Sequence, residues 1–261
     1  MYPKEVRQKT IGLMRPMRLL AVLLVPVFTL IMGAAAPLVW ARGHFCVLEL
    51  DEAEVFIEFN STDDDRGIQF FWDGEPWKWM RVRNESGRAV LSVISQRNVR
   101  AQGLTEGFFE SAEPTSDELP ADEFFARFPE GEYTFWGRTL DGCWLTGEVE
   151  LTHNLPTPVI LDLDGFPFIR WNQPPGGPEV VGYEVVVELV VEENGDERVL
   201  VNTATFPGDI YEFSVSPEFV DLIDGAVYAG TLVELKVEVI AREESGNKTI
   251  TEQEVEVALE E

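Results

Sequence analysis

Residues 60–67 read Asn60-Ser-Thr-Asp63-Asp64-Asp65-Arg66-Gly67. Carboxylates at alternate positions before a glycine can wrap a hard cation, because Ca²⁺ takes several oxygen ligands. Asn60, Asp63 and Asp65 are therefore the candidate calcium ligands, and calcium is the one cofactor that the residues suggest. The five residues after Gly67 end in Trp72, where a full EF-hand loop has its Glu. The same stretch also reads as an acidic turn between two strands.

A second set of residues is aromatic. Trp72, Trp77, Trp79, Trp136 and Trp144 fall within one hundred-residue stretch. Large amphipathic rings stack on sugars or anchor a protein partner. Trp72, Trp77 and Trp79 are the candidate binding residues, although a small domain also needs such rings as core filling. The run Trp77-Lys-Trp-Met-Arg-Val-Arg83 alternates, so it is read as a strand with Trp77, Trp79, Arg81 and Arg83 on one face. Lys78, Arg81, Arg83, Arg88, Arg97 and Arg100 crowd into a segment whose one acid is Glu85. In so acidic a chain this strip is expected to pair with acidic loops of its own, each exposed pair adding little. The other reading is a docking patch for an anionic partner.

Catalytic motifs find little footing. Gly-x-Ser-x-Gly, His-Glu-x-x-His and phosphate-binding glycine loops do not occur in the sequence. The two histidines, His44 and His153, stand at domain edges. Carboxylates are too numerous for a glycosidase pair to be picked out by eye. With two cysteines and two histidines in no ligand spacing, zinc is disfavoured. Cys46 and Cys143 are expected to form a disulfide, two buried thiols being the other possibility. Asn60, Asn84 and Asn247 stand in Asn-x-Ser/Thr acceptors.

The net charge is −27 over 261 residues. The first 41 residues are basic, so the remainder is more acidic still. Such a surface repels nucleic acid and anionic lipid. Residues 1–18 carry the basic charge, residues 19–32 are apolar apart from one Thr, and small residues follow up to Val39-Trp-Ala41. That order is a secretory signal over 1–41. Residues 19–41 are also long enough for an uncleaved anchor. The expected location is exported (periplasmic, extracellular or envelope-associated), where disulfides persist. Contact with a membrane would come only through the N-terminal segment.

The patterning behind these residues is mainly β. The first domain, 44–153, has strands at Glu54–Asn60, Ile68–Trp72, Trp77–Arg83 and Arg88–Ile94, and a hairpin of Glu132–Trp136 with Cys143–Leu151. Leu104–Glu110 and Pro120–Phe128 are read as two short helices; Pro120 suits a first turn, and Phe124, Phe125 and Phe128 share a face. Leu155-Pro-Thr-Pro158 marks a stiff linker over 154–158. The second domain, 159–261, has seven short strands: Val159–Leu163, Phe168–Trp171, Gly182–Val191, Val199–Ala204, Ile210–Val215, Leu232–Ala241 and Thr249–Leu259. That density indicates an antiparallel sandwich.

Phe168-Ile-Arg-Trp-Asn-Gln-Pro174, Val181-Gly-Tyr-Glu-Val-Val-Val-Glu188 and Leu235-Lys-Val-Glu-Val-Ile-Ala241 resemble the second, third and sixth strands of a fibronectin type III domain. The resemblance implies a sandwich with Trp171 in its core. Leu235 stands where that family usually has Tyr, which removes a side-chain hydrogen bond. Gly103–Pro114 and Glu118–Tyr133 are similar to phrases in exported bacterial proteins that end in such a domain; that likeness implies architecture, not mechanism.

The expected function is a non-catalytic interaction protein whose partner is a protein or glycan at the cell surface, with no nucleic acid. The alternatives are an accessory to a hydrolase of extracellular polysaccharide or protein, and a calcium-stabilised structural protein of the envelope.

Overall fold

The computed structural model describes residues 46–193, 196–228 and 232–257. The expected export segment 1–41, His44 and the end of the last strand lie outside the described residues. Among the described residues no helix is long and apolar enough to cross a membrane. His44–Glu261 form one compact unit.

The first seven strands are β1 (Val47–Glu49), β2 (Glu52–Asn60), β3 (Asp65–Arg83), β4 (Ala89–Ile94), β5 (Leu104–Glu110), β6 (Gly131–Thr139) and β7 (Trp144–Leu151). Two short helices interrupt them, α1 (Arg97–Gln102) and α2 (Ala121–Arg127). β3 is the organising element. Its first part pairs with β2 and β5, and its second part pairs with β4 and β6. The ladder shifts register between Asp73 and Trp77 and again between Trp77 and Trp79. One long strand therefore contributes to both layers around the first core. That core holds Phe70, Trp72, Trp77, Tyr133, Phe135 and Leu145.

Leu104–Glu110 is a strand, not the expected helix. It completes the ladder of β3, and pairing with a neighbour outweighs local preference. The helical turn sits just upstream, in α1, which buries no side chain. The second expected helix is present as α2, with Pro120 before its first turn and Phe124 in the core.

The second half contains β8 (Ile160–Asp162), β9 (Phe168–Asn172), β10 (Val180–Glu193), β11 (Asp196–Pro207), β12 (Glu212–Ser214), β13 (Leu232–Glu243) and β14 (Lys248–Val257). β12-β9-β8 form one sheet, and β14-β13-β10-β11 lie in the other. This is a fibronectin type III-like sandwich, with Trp171, Tyr183, Val185, Val237 and Val239 in its core. Leu235 is buried there as an aliphatic side chain. A tyrosine corner occurs instead in the first half, where buried Tyr133 donates its hydroxyl to the Pro129 carbonyl (3.0 Å). An unexpected helix, α3 (Pro217–Tyr228), connects β12 to β13 and buries Phe219 and Ile223.

The two cores share one continuous sheet, ordered β1-β7-β6-β3-β2-β14-β13-β10-β11. The junction is a parallel pairing of Lys248, Thr249 and Ile250 with Glu58, Phe59 and Asn60. Asn247, 0% exposed, anchors it. Its Oδ1 accepts from the Ile57 amide (2.8 Å), and its Nδ2 donates to the carbonyls of Thr152 (3.0 Å) and Asn154 (3.1 Å). Thr249 donates its hydroxyl to the Pro156 carbonyl (2.7 Å). The Pro-containing segment is thus tied to the β13–β14 hairpin by buried hydrogen bonds, which are costly to leave unmade.

Candidate binding face

In each strand alternate side chains face the core. β3 sends Met80 and Val82 inward, β6 sends Tyr133 and Phe135, and β7 sends Leu145. The intervening residues meet on the outer face in rows across the strands. The first row runs Ile94, Trp79, Arg138, Trp144, Val47; the second runs Ser92, Arg81, Trp136, Thr146, Glu49; the third runs Ala89, Arg83, Thr134, Glu148. Trp79 and Arg81 on β3 thus oppose Arg138 and Trp136 on β6 as a two-by-two checkerboard. Diagonal neighbours across such strands lie about 7–8 Å apart.

Trp144 holds this lattice together. Its ring stacks on Trp136 (centroids 4.8 Å apart, 26° between planes) and meets Trp79 edge-on at 6.0 Å. The Arg138 guanidinium lies 4.3 Å above it, in cation–π geometry. Stacking fixes that guanidinium with its donors at the rim. Arg81 Nε donates to Ser92 Oγ (3.2 Å). Among the described residues, no ring or cation other than those of this lattice lies over Trp79 or Trp136. The disulfide braces the same edge. Cys46 and Cys143 are joined, with Cα atoms 4.8 Å apart, and Trp144 donates its amide to the Cys46 carbonyl (2.8 Å).

Among the described residues none of Lys78, Arg81, Arg83, Arg88, Arg97, Arg100 or Arg138 forms an ion pair. The expectation that the strip pairs with the chain's own acidic loops is corrected. Glu49 and Glu148 close the second and third rows on the β1 and β7 side, so acids border the cationic strip without pairing with it.

The expected binding set divides. Trp79 stands on the outer face. Trp72 and Trp77 are each 1% exposed and pack in the core with ring centroids 5.9 Å apart. They are not binding residues. Their reassignment follows from the two register shifts, which put Trp77 and Trp79 on opposite faces. Trp136, Trp144 and Arg138 stand with Trp79 on the outer face. Their signal is the alternation in Trp136-Gly-Arg138 and Trp144-Leu-Thr146, which becomes meaningful only once the register across β3 is known.

The acidic loop has a structural task. Asn60 Oδ1 accepts from the amides of Thr62 (2.9 Å) and Asp63 (3.3 Å), and Asn60 Nδ2 donates to Asp63 Oδ2 (3.3 Å). Asp65 is buried opposite Asn60 in the β2–β3 ladder. Asp64 accepts from Ser116 Oγ (2.8 Å) and pairs with Arg66 (3.5 Å). Asn60 Oδ1 and Asp63 Oδ2 thus accept hydrogen bonds from within the loop. Three other carboxylates do converge: Glu58, Glu110 and Glu113 offer oxygens within 4.8 Å of one another. Lys248 Nζ stands 3.9 Å from Glu58 and offsets part of that charge. Beside this group, burial alone would lower the Lys236 ammonium; Glu252 (2.8 Å) and Glu238 (3.1 Å) instead hold it above its ordinary value.

The three Asn-x-Ser/Thr acceptors are buried as well. Asn84 Oδ1 accepts from Ser86 Oγ (2.8 Å) and from the Arg88 amide (3.0 Å), while Asn60 and Asn247 hold the bonds given above. A groove of about 700 Å³ lies in the second half, between Gln173–Tyr183 and Gly208–Tyr211. Its two carboxylates, Glu179 and Asp209, are exposed.

No protein family and no curated protein matches this sequence. Among solved structures the chain is similar to a tetra-tandem repeat in the extending region of a large adhesion protein, at 15% identity and a TM-score of 0.25. That match covers 78% of this chain and 49% of the other, so the chain spans about half of that structure. It is also similar to a two-domain fibronectin type III segment from chicken tenascin, at 12% identity and a TM-score of 0.24, covering 80% and 99% of the two chains. A third likeness, to the BSP domain of a biofilm-associated protein, has 14% identity, a TM-score of 0.23, and coverage of 80% and 29%. Superpositions this loose carry no functional argument, and the reading of function rests on the face itself.

Proposed function

We propose that this chain is a non-catalytic interaction protein that works outside the cytoplasm and holds its ligand on the outer face of β3, β6 and β7. One observation carries the reading: among the described residues Arg81, Arg83 and Arg138 form no ion pair and stand with Trp79, Trp136 and Trp144, on a molecule of net charge −27. Acids are abundant, so a cation left without one is available to a partner. Interleaved aromatic and Arg side chains are the composition of binding hot spots. The buried junction at Asn247 and the disulfide beside Trp144 make the platform rigid, which limits the ordering cost of binding. The disulfide also favours an oxidising compartment.

The test is to apply the full chain to glycan and protein arrays beside a triple variant, Arg81→Glu, Arg83→Glu, Arg138→Glu. The expected result is array binding by the native chain, lost in the variant, with no chemical change in the bound ligand. Binding that survives the triple substitution would remove the face from this role. Turnover of an arrayed compound by the native chain would remove the non-catalytic reading.

A further inference from the structure

We infer that the ligand of this face is a linear acidic polysaccharide in which charged and neutral sugars are interspersed; the inference rests on the preceding reading of the face. The checkerboard offers two kinds of contact. Arg81 and Arg138 lie on one diagonal and present forked donors, which match carboxylate or sulfate oxygens. Trp79 and Trp136 lie on the other, and an indole face suits the flat C–H side of a pyranose ring. Along the first row Arg138 stands between Trp79 and Trp144, and in the second Arg81 stands beside Trp136, so cation and ring alternate across the strands. A chain that alternates acid and apolar ring face satisfies both sets at once.

Other anionic polymers fit less well. Nucleic acid carries a charge on every nucleotide and draws its affinity from many phosphate contacts. Three guanidiniums cannot offset the repulsion of so many charges by an acidic molecule. An acidic peptide gains most by adding a strand to a sheet edge, where main-chain hydrogen bonds form. Along this face β3, β6 and β7 are each paired on both sides, and the sheet edge is reached only at the three-residue β1, so few such bonds are on offer. Glu49 and Glu148, at the β1 and β7 side of the lattice, bound the patch and disfavour a densely charged ligand there.

The experiment is affinity electrophoresis of the full chain in gels containing one of four probes: hyaluronan, a neutral cello-oligosaccharide, poly-L-glutamate or oligo-deoxythymidine. Hyaluronan is expected to retard the native chain, and less so as ionic strength rises from about 50 to about 300 mM. Arg81→Gln and Trp79→Ala are each expected to weaken that retardation about tenfold, with the other three probes having little effect. Arg81 is exposed, so its variant tests the idea even if Trp79→Ala lowers the melting midpoint. Equal or stronger retardation by poly-L-glutamate or the oligonucleotide, sensitive to Arg81→Gln, would overturn the ligand class and leave the face. Hyaluronan retardation indifferent to both substitutions would overturn the assignment to this face. No retardation by hyaluronan, beside array binding that still needs the three arginines, would overturn this inference alone.

Discussion

Asn247 is bonded to three segments at once, and its removal would be felt in both cores. Asn247→Ala removes the acceptor of the buried Ile57 amide and the donor to the part-buried Thr152 and Asn154 carbonyls. The expected loss is about 3–5 kcal/mol in urea unfolding, since several polar groups lose a partner together. Gly107 is the second sensitive position. A methyl group there would overlap the indole of Trp72, so Gly107→Ala should cost about 1–3 kcal/mol by overpacking. Tyr133 supplies a pH prediction. Burial raises its phenol from 10.0 to about 12. The folded state therefore holds this proton more tightly than the unfolded chain does. Its contribution is whole below about pH 10 and is lost as pH climbs towards about 12. Tyr183 is raised to about 12 by burial and by neighbouring Tyr211, and acts in the same window. Tyr133→Phe should therefore make alkaline unfolding less steep without abolishing it. For the acidic loop, added calcium should leave the melting midpoint unchanged. A rise of several degrees that vanishes in an Asp63→Ala, Asp65→Ala variant would mark these residues as calcium ligands. At this scale the cysteine pair was legible, because a chain with two cysteines offers a single pairing. The fate of the tryptophans was not, because two register shifts in β3 leave no mark in an alternating pattern.

Among the elements, β1 depends most on a covalent tie. It is three residues long and pairs only with β7 among the described strands. The Cys46–Cys143 bridge spans a sequence separation of 97, worth about 4–5 kcal/mol on the chain-entropy view. Replacing both cysteines by serine should lower stability by that order. It should also loosen Trp144, seen as weaker binding at temperatures where the fold still holds. Most strands were legible from period-two patterning, for instance the hairpin around Cys143, whereas the expected strands Ile68–Trp72 and Trp77–Arg83 are one continuous β3 that runs through Asp73-Gly74. β5 was missed because Leu104–Glu110 lacks clean alternation and is a strand only by pairing with β3. α3 was missed although it has a readable start: Ser216 before Pro217 and Glu218, with Ser216 Oγ accepting from the Phe219 amide (3.3 Å). The fibronectin type III-like half was the most legible part, since its inward residues repeat strictly along β10 and β13.

For the molecule as a whole, the parallel junction of β2 with β14 joins two cores through one sheet. A Pro-containing segment normally reads as a spacer, yet Asn154 and Pro156 each give a carbonyl to the hairpin that holds Asn247 and Thr249. Under native conditions, cleavage within 154–158 should be slow, and Thr249→Ala should accelerate it by freeing the Pro156 carbonyl; a time course of limited proteolysis reads this directly. Nothing in the linear sequence announces the junction, because its partners are about 190 residues apart. The candidate face was half legible for the same reason: residues 77–83 showed one strand of it, and β6 and β7 supplied the rest through tertiary pairing.

The burial of Asn247 also sets an order of events. In a host that attaches sugars to Asn-x-Ser/Thr, the transferase must reach this asparagine before β14 docks on β2. An occupied Asn247 would then mark a molecule whose halves never closed. Glycoform analysis of the protein purified from such a host would separate early modification from prompt assembly, making the hidden acceptor a timer of maturation.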